Sequence, residues 1–206
     1  MKQLFILLAA LLIAAGVQAQ EQEQHFRFGI KAGAQVAQLR GQNLDSISAN
    51  GESKGQPGLL LGLSAESPVS RYFLLKHDIF FSSRRITLKN ADGSDAPLRR
   101  SNIDIFPISP TLHYKGLEIF AGPYASILVS TKLNGNDYFG NGTTDRGYSQ
   151  KTDFGFTTGA GYTLKEHWHI EFRYVHGLQS MVENPAVHQQ LKIYNRYMGL
   201  TLGYWF

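Results

Sequence analysis

Apolar side chains at every second position, in eight separate runs, restrict this chain more than any other feature of its sequence. A period of two puts neighbouring side chains on opposite faces of an extended backbone, so each run reads as a strand with one apolar face. In the first run Phe26, Phe28, Ile30, Ala32, Ala34 and Val36 alternate with Arg27, Gly29, Lys31, Gly33 and Gln35. Its length of about a dozen residues suits a bilayer-crossing strand of ~9–11 residues better than the ~5–6 of a soluble sheet. Leu59, Leu61, Leu63 and Ala65 form the second run, and Phe73, Leu75, His77, Ile79 and Phe81 one face of the third, opposite Leu74, Lys76, Asp78, Phe80 and Ser82. Ile103 and Ile105 open a fourth that runs to about Tyr114; Ile119, Ala121, Ala125, Ile127 and Val129 mark a fifth, with Glu118, Gly122, Tyr124, Ser126 and Ser130 opposite. Phe154, Phe156, Thr158, Ala160, Tyr162 and Leu164 mark a sixth; Ile170, Phe172 and Tyr174 a seventh, opposite His169, Glu171 and Arg173; Met198, Leu200, Leu202, Tyr204 and Phe206 the eighth. The fourth strand carries one residue too many before Pro107, the sign of a bulge. Helical spacing is not found beyond the N-terminal segment, so the chain is all-β.

The connections fall at residues 39–57, 67–71, 90–101, 115–116, 133–152, 165–167 and 177–192, in the order long, short, long, short, long, short, long. In an antiparallel meander this gathers the long connections at one end and the short ones at the other, which is the plan of outer-membrane barrels with short periplasmic turns and long extracellular loops. The expected fold is an eight-stranded antiparallel up-and-down transmembrane β-barrel. Its last strand closes against the first, with Leu200, Leu202, Tyr204 and Phe206 facing lipid, because an open edge in hydrocarbon leaves backbone groups unpaired.

The first nineteen residues point to export. Lys2 precedes an apolar stretch from Leu4 to Ala15, and Val17-Gln18-Ala19 is a small-x-small cleavage site, so residues 1–19 read as a cleaved signal peptide and 20–206 as the barrel domain. That stretch is too short for a membrane span, which needs ~20 residues. With no cysteine, the chain has neither disulfides nor a lipoprotein anchor. A mean hydropathy of −0.21 is compatible with a membrane barrel, whose lumen-facing half is polar. The formal charge is +4, but no run of five like charges and no basic helix occur, which argues against nucleic-acid binding.

Six segments, FGIKAGAQVAQL, LKHDIFFSSRR, IFAGPYASILV, FGFTTGAGYTL, IEFRYVHGLQSM and NRYMGLTLGYWF, together resemble the porin-family or PorT-like outer-membrane β-barrel domain of Bacteroidetes. The resemblance implies an outer-membrane barrel and no particular chemistry. The C-terminal residues Leu200, Leu202, Tyr204 and Phe206 also resemble the signal read by the β-barrel assembly machinery.

No constellation reads as a catalytic, cofactor or metal site. His167 and His169 fall ~7 Å apart on one face of an extended strand start, but no third ligand stands near them. With Tyr72, Phe73, Trp168, Tyr114, Tyr204 and Phe206 they read as an interfacial belt at the short-turn end. Lys76, Asp78, Glu118, Glu171 and Arg173 point into a lumen just wide enough for side chains, where unpaired charge is costly, so they are expected to pair into a plug. His176, Ser180 and Glu183 make a weak triad, as a lipid-modifying barrel enzyme would need. A soluble lipocalin-like barrel is the other alternative. The favoured reading is a monomeric, non-enzymatic structural or adhesive barrel in outer-membrane lipid, with no cofactor. The loop 133–152, carrying Tyr138, Phe139 and Tyr148, is the expected surface for an extracellular ligand.

Overall fold

The computed structural model describes residues 26–49, 51–134, 136–137, 150–184 and 189–206. Eight long strands, β1 (Arg27–Gly41), β2 (Lys54–Ser70), β3 (Phe73–Lys89), β4 (Asp95–Tyr114), β5 (Leu117–Leu133), β6 (Thr152–Leu164), β7 (Trp168–Gly177) and β8 (Ile193–Trp205), each pair antiparallel with their chain neighbours. β1 and β8 close the ring in a ladder from Gly29↔Trp205 to Gly41↔Ile193. Phe206 adds one more bond, its N–H to the Phe28 carbonyl at 2.9 Å. The three short turns lie at one end; at Lys115-Gly116 both φ angles are positive, +50° and +85°, as a two-residue type I′ hairpin requires. The expected signal segment 1–19 and Tyr138, Phe139 and Tyr148 lie outside the described residues.

The strands run past the limits their alternation predicts. β2 begins at Lys54 rather than Leu59, and β4 at Asp95 rather than Ile103, so much of the expected loops 39–57 and 90–101 is ladder. The reason is a change of phase. On β3 the outward residues Phe73, Leu75, Ile79 and Phe81 are apolar, while the inward ones include Lys76, Asp78 and Ser82; four residues further on, Ile86 and Leu88 point in and Arg85 points out. β1 makes the same switch between outward Val36 and inward Ala37 and Leu39, and β8 between outward Met198 and inward Ile193. Below the switch the wall faces an apolar solvent; above it the wall faces water and packs a conventional core of Ala37, Leu39, Leu44, Ile86, Leu88, Ala96, Leu98, Met181 and Ile193. Leu44 enters this core from the short 3₁₀ turn Leu44–Ser46 in the β1–β2 connection.

The apolar outward stretch of β3, Phe73 to Phe81, spans ~21 Å along the barrel axis at ~3.4 Å per residue and ~40° tilt, against a ~25 Å apolar band in membrane barrels. The whole of β3, 17 residues, rises to about twice that height.

The predicted bulge in β4 is present. Asp78 pairs Phe106 and Lys76 pairs Ser109, so three residues of β4 are spanned by two steps of β3, and the inward phase passes from Phe106 to Ser109. The extra residue leaves the Pro107 carbonyl outside the ladder, on the apolar wall. His77, level with it on β3, donates from Nδ1 to that carbonyl at 2.5 Å. A lone histidine in the middle of a lipid-facing row thereby satisfies a backbone group that hydrocarbon cannot.

Candidate functional site

Lys76 and Asp78 come from β3, Glu118 from β5, and Glu171 and Arg173 from β7. Alternation aims all of them inward, and the closed ring brings them together with Lys31 of β1, each nearly inaccessible to solvent. Lys31 Nζ reaches Asp78 Oδ1 at 3.0 Å and Glu171 Oε2 at 2.9 Å. Lys76 Nζ reaches Glu118 Oε2 and Glu171 Oε2, both at 2.8 Å. Arg173 donates to Glu171 Oε1 from Nε at 2.9 Å and Nη2 at 2.7 Å, and also holds Asp78, to which Ser64 donates as well. At the edge of the cluster Arg27 pairs with Glu66 at 2.5 Å. Four cations thus meet four carboxylates: Arg27, Lys31, Lys76 and Arg173 against Glu66, Asp78, Glu118 and Glu171.

The space for this cluster comes from β6, whose inward residues are small. A Cβ at Gly161 would lie 2.5 Å from His169 Nε2, and one at Gly159 2.4 Å from Phe120 Cζ. His169 is buried there, 3.2 Å from Glu118 Oε2, while His167 sits exposed in the β6–β7 turn. The two histidines do not share a strand face, because β7 begins only at Trp168.

Higher in the lumen the layers alternate. The Arg173 guanidinium lies 4.0 Å from the Phe106 ring centroid and 4.9 Å from Phe120. Phe80, Phe106, Tyr124 and Tyr197 continue as an aromatic layer, with centroids 5.6–6.3 Å apart. Beyond it Asp104 accepts from Arg84 Nη2 at 2.6 Å, Ser126 Oγ at 2.6 Å and Tyr197 Oη at 3.1 Å. The apolar core of the upper barrel then covers this second ionic layer. At the opposite, short-turn end the lumen widens into an open cavity of about 780 Å³ lined by Trp205 and rimmed by Arg27, Arg71, Lys115 and Lys165.

Sequence reasoning names five of the lower-cluster residues but not Lys31, His169 or the Arg84–Asp104 pair. Lys31 and His169 stand on the polar faces of their runs, and Asp104 stands between Ile103 and Ile105 on the polar face of the fourth, so the signal is present; its partner Arg84 becomes visible only once β3 is extended past Ser82. On the outside, Tyr72 and Tyr114 stand 6.2 Å apart, Trp168 and Tyr204 5.3 Å, and Tyr204 and Phe206 5.6 Å, an aromatic girdle at the short-turn end. Leu200, Leu202 and Phe206 project outward, the two leucines opposite Ala34 and Ala32 of β1. His176 stacks on Phe156 at 5.0 Å on the outer wall, whereas Ser180 is buried in the connection that follows β7. The side chain of Glu183 lies outside the described residues.

A meander closed on itself, apolar outside over one band and ionic inside, defines a transmembrane β-barrel of the bacterial outer membrane. A sequence model of the outer membrane protein beta-barrel domain matches residues 18–183, and the chain belongs to that family. Its place is the outer membrane, so the soluble lipocalin-like alternative falls. Among solved structures, Neisserial surface protein A is similar at 13% identity and a TM-score of 0.50, covering 88% of this chain and 99% of its own. Ail, the attachment invasion locus protein of Yersinia pestis, is similar at 9% identity and a TM-score of 0.50, covering 89% and 100%. A second Ail structure, in complex with the heparin analogue sucrose octasulfate, is similar at 10% identity and the same TM-score, covering 89% and 100%. At these identities the likeness is one of fold. No curated protein matches the sequence.

Proposed function

We propose that the protein is a non-enzymatic interaction barrel, of the PorT-like type, whose lumen is closed by its own side chains and whose extracellular face binds a ligand. The observation that carries this reading is the stack of buried side chains inside the barrel: ionic, aromatic, ionic and apolar layers follow one another along the axis among the described residues. The stacking of His176 on the outward Phe156 speaks against a lipid-modifying enzyme. The ladder above the membrane band supports a binding role, since it sets a rigid base under the longer connections. The fold is also that of Ail, crystallised with a heparin analogue. The outward row Leu200, Leu202, Tyr204 and Phe206 supports recognition by the assembly machinery, after which the barrel works as a monomer in lipid.

The test has two arms. Purified barrel in planar bilayers should give no sustained conductance steps, and cells displaying it should bind an immobilised sulfated glycan more than cells displaying a variant with residues 138–149 replaced by a Gly-Ser linker. Stable porin-like conductance overturns the closed lumen; equal retention of both cell types overturns binding through that loop.

A further inference from the structure

Just above the level where the wall changes phase, the outer surface turns basic. Arg85 of β3 stands directly opposite Arg99 of β4, and Arg99 directly opposite Lys132 of β5. All three are exposed and point outward. On the same faces Phe81 and Ile103 lie four residues below and Ile127 five, all three in mutual register near the top of the apolar band, with Val129 the last outward apolar residue on β5. At ~3.4 Å per residue and ~40° tilt, the cations sit ~10 Å above this row. Across the β1–β8 seam at similar height, Arg40, Lys192 and Arg196 line a surface depression of about 400 Å³ with Tyr194, and Arg196 lies one outward position above Met198. Lys54, exposed on β2, stands between the two groups.

Directly opposed like charges on neighbouring strands destabilise a sheet. Arg85, Arg99 and Arg196 make no ion pair among the described residues, whereas the lumen of the same barrel matches every cation of its lower cluster to a carboxylate. Of the acidic residues of this hairpin, Asp92 at the tip accepts from the N–H and hydroxyl of Ser94, and Asp95 is taken by Lys89 at 2.6 Å. Neighbouring arginines without an acid, facing sideways out of a wall at headgroup height, have the geometry of a phosphate site: each guanidinium offers a planar pair of donors to phosphate oxygens. Their sideways aim selects among anions. A ligand arriving from the medium meets the loop ends and hairpin tips first, while the headgroup of a lipid already packed against Phe81 and Ile103 lies directly beneath Arg85 and Arg99.

We propose that Arg85 with Arg99, and Arg40 with Arg196, bind the phosphate groups of the phosphorylated glycolipid in the outer leaflet, fixing a shell of that lipid around the barrel. The probe is lipid A, intact or with its phosphates removed, added to the purified full chain in neutral-detergent micelles, with binding read by native mass spectrometry and by the midpoint of thermal unfolding. Intact lipid A should bind and raise the midpoint, and high salt should weaken it. Dephosphorylated lipid A should bind at least tenfold more weakly. Arg85→Ser/Arg99→Ser and Arg40→Ser/Arg196→Ser should each lose a comparable factor while keeping the heat-modifiable gel shift of a folded barrel; these side chains are exposed, so folding should survive. Equal binding of the two lipid forms, or undiminished binding by both folded variants, overturns the proposal. Preference for sucrose octasulfate over intact lipid A through the same arginines overturns it in favour of a soluble polyanion.

Discussion

Glu171→Gln offers the sharpest test of how the lumen holds together. Glu171 accepts from three cations at once: Lys31 and Lys76 on Oε2 at 2.9 and 2.8 Å, and Arg173 on Oε1 at 2.7 Å. Replacing it leaves one buried cation in excess. Breaking a buried pair by removing one partner costs ~3–5 kcal/mol, because a charge is left uncompensated in a low dielectric. Here none of the three cations is stranded, since Lys31 keeps Asp78, Lys76 keeps Glu118 and Arg173 keeps Asp78. The expected loss is therefore at the low end, ~3 kcal/mol. Asp104→Asn should reach ~5 kcal/mol, because Arg84 has no other carboxylate partner among the described residues. The assay is urea unfolding in lipid vesicles, followed by tryptophan fluorescence. With a slope of ~1–3 kcal/mol per molar urea, Glu171→Gln should lower the midpoint by ~1–3 M. The second variant, Glu171→Gln with Lys31→Met, restores the balance of charge and should recover more than half of that loss. A double variant less stable than the single one would refute the view that net charge balance, rather than each separate contact, sets the energy of the cluster.

Position along the wall should set the penalty for a lipid-facing charge. Leu202→Arg, mid-band on β8, should cost ~2–4 kcal/mol, while Ile127→Arg, in register with Phe81 at the upper edge, should cost ~0–1 kcal/mol, both by the same urea titration. His77→Leu should lose ~1–3 kcal/mol despite being more apolar, because it leaves the Pro107 carbonyl unpaired in hydrocarbon; His77→Asn, which restores a donor, should lose less. Phe206→Glu should slow folding in cells, seen as a smaller fraction of the fast-migrating unboiled band, whereas normal assembly would dissociate the terminal aromatic from closure of β8 on β1.

The membrane-embedded half of this barrel was legible in the sequence because one rule governs it: apolar out, polar in. β1, β3 and β7 obey that rule over their lower halves, and the five lumen charges followed from it directly. The upper half obeys the opposite rule. Around Arg84–Leu88 and Ala96–Leu98 the period is still two but the apolar phase is reversed, and a reader following one phase sees the strand stop. The extra residue near Pro107 showed that β4 was bulged, yet the fate of the freed carbonyl was hidden, because only the three-dimensional register sets His77 beside it. His167 misled for a similar reason: two residues from His169 means one face only if the backbone is already extended, and there it is still turning. The Arg85–Arg99 opposition needs cross-strand register and is invisible along the chain.

The upward extension of β3 and β4 gives the molecule a use beyond its own biology. Their ladder continues past Phe81 by about eight residues, flanked by β2 as far as Thr87 and by β5 as far as Leu98, lifting the tip at Asn90–Ser94 ~20 Å clear of the apolar band. At that tip Gly93, with φ of +82°, has nothing within 4 Å of where a side chain would begin. A peptide spliced between Asp92 and Gly93 would stand outside the cell on a stiff stem, away from both the lumen and the lipid wall, which makes this hairpin the natural insertion point for converting the barrel into a surface-display scaffold.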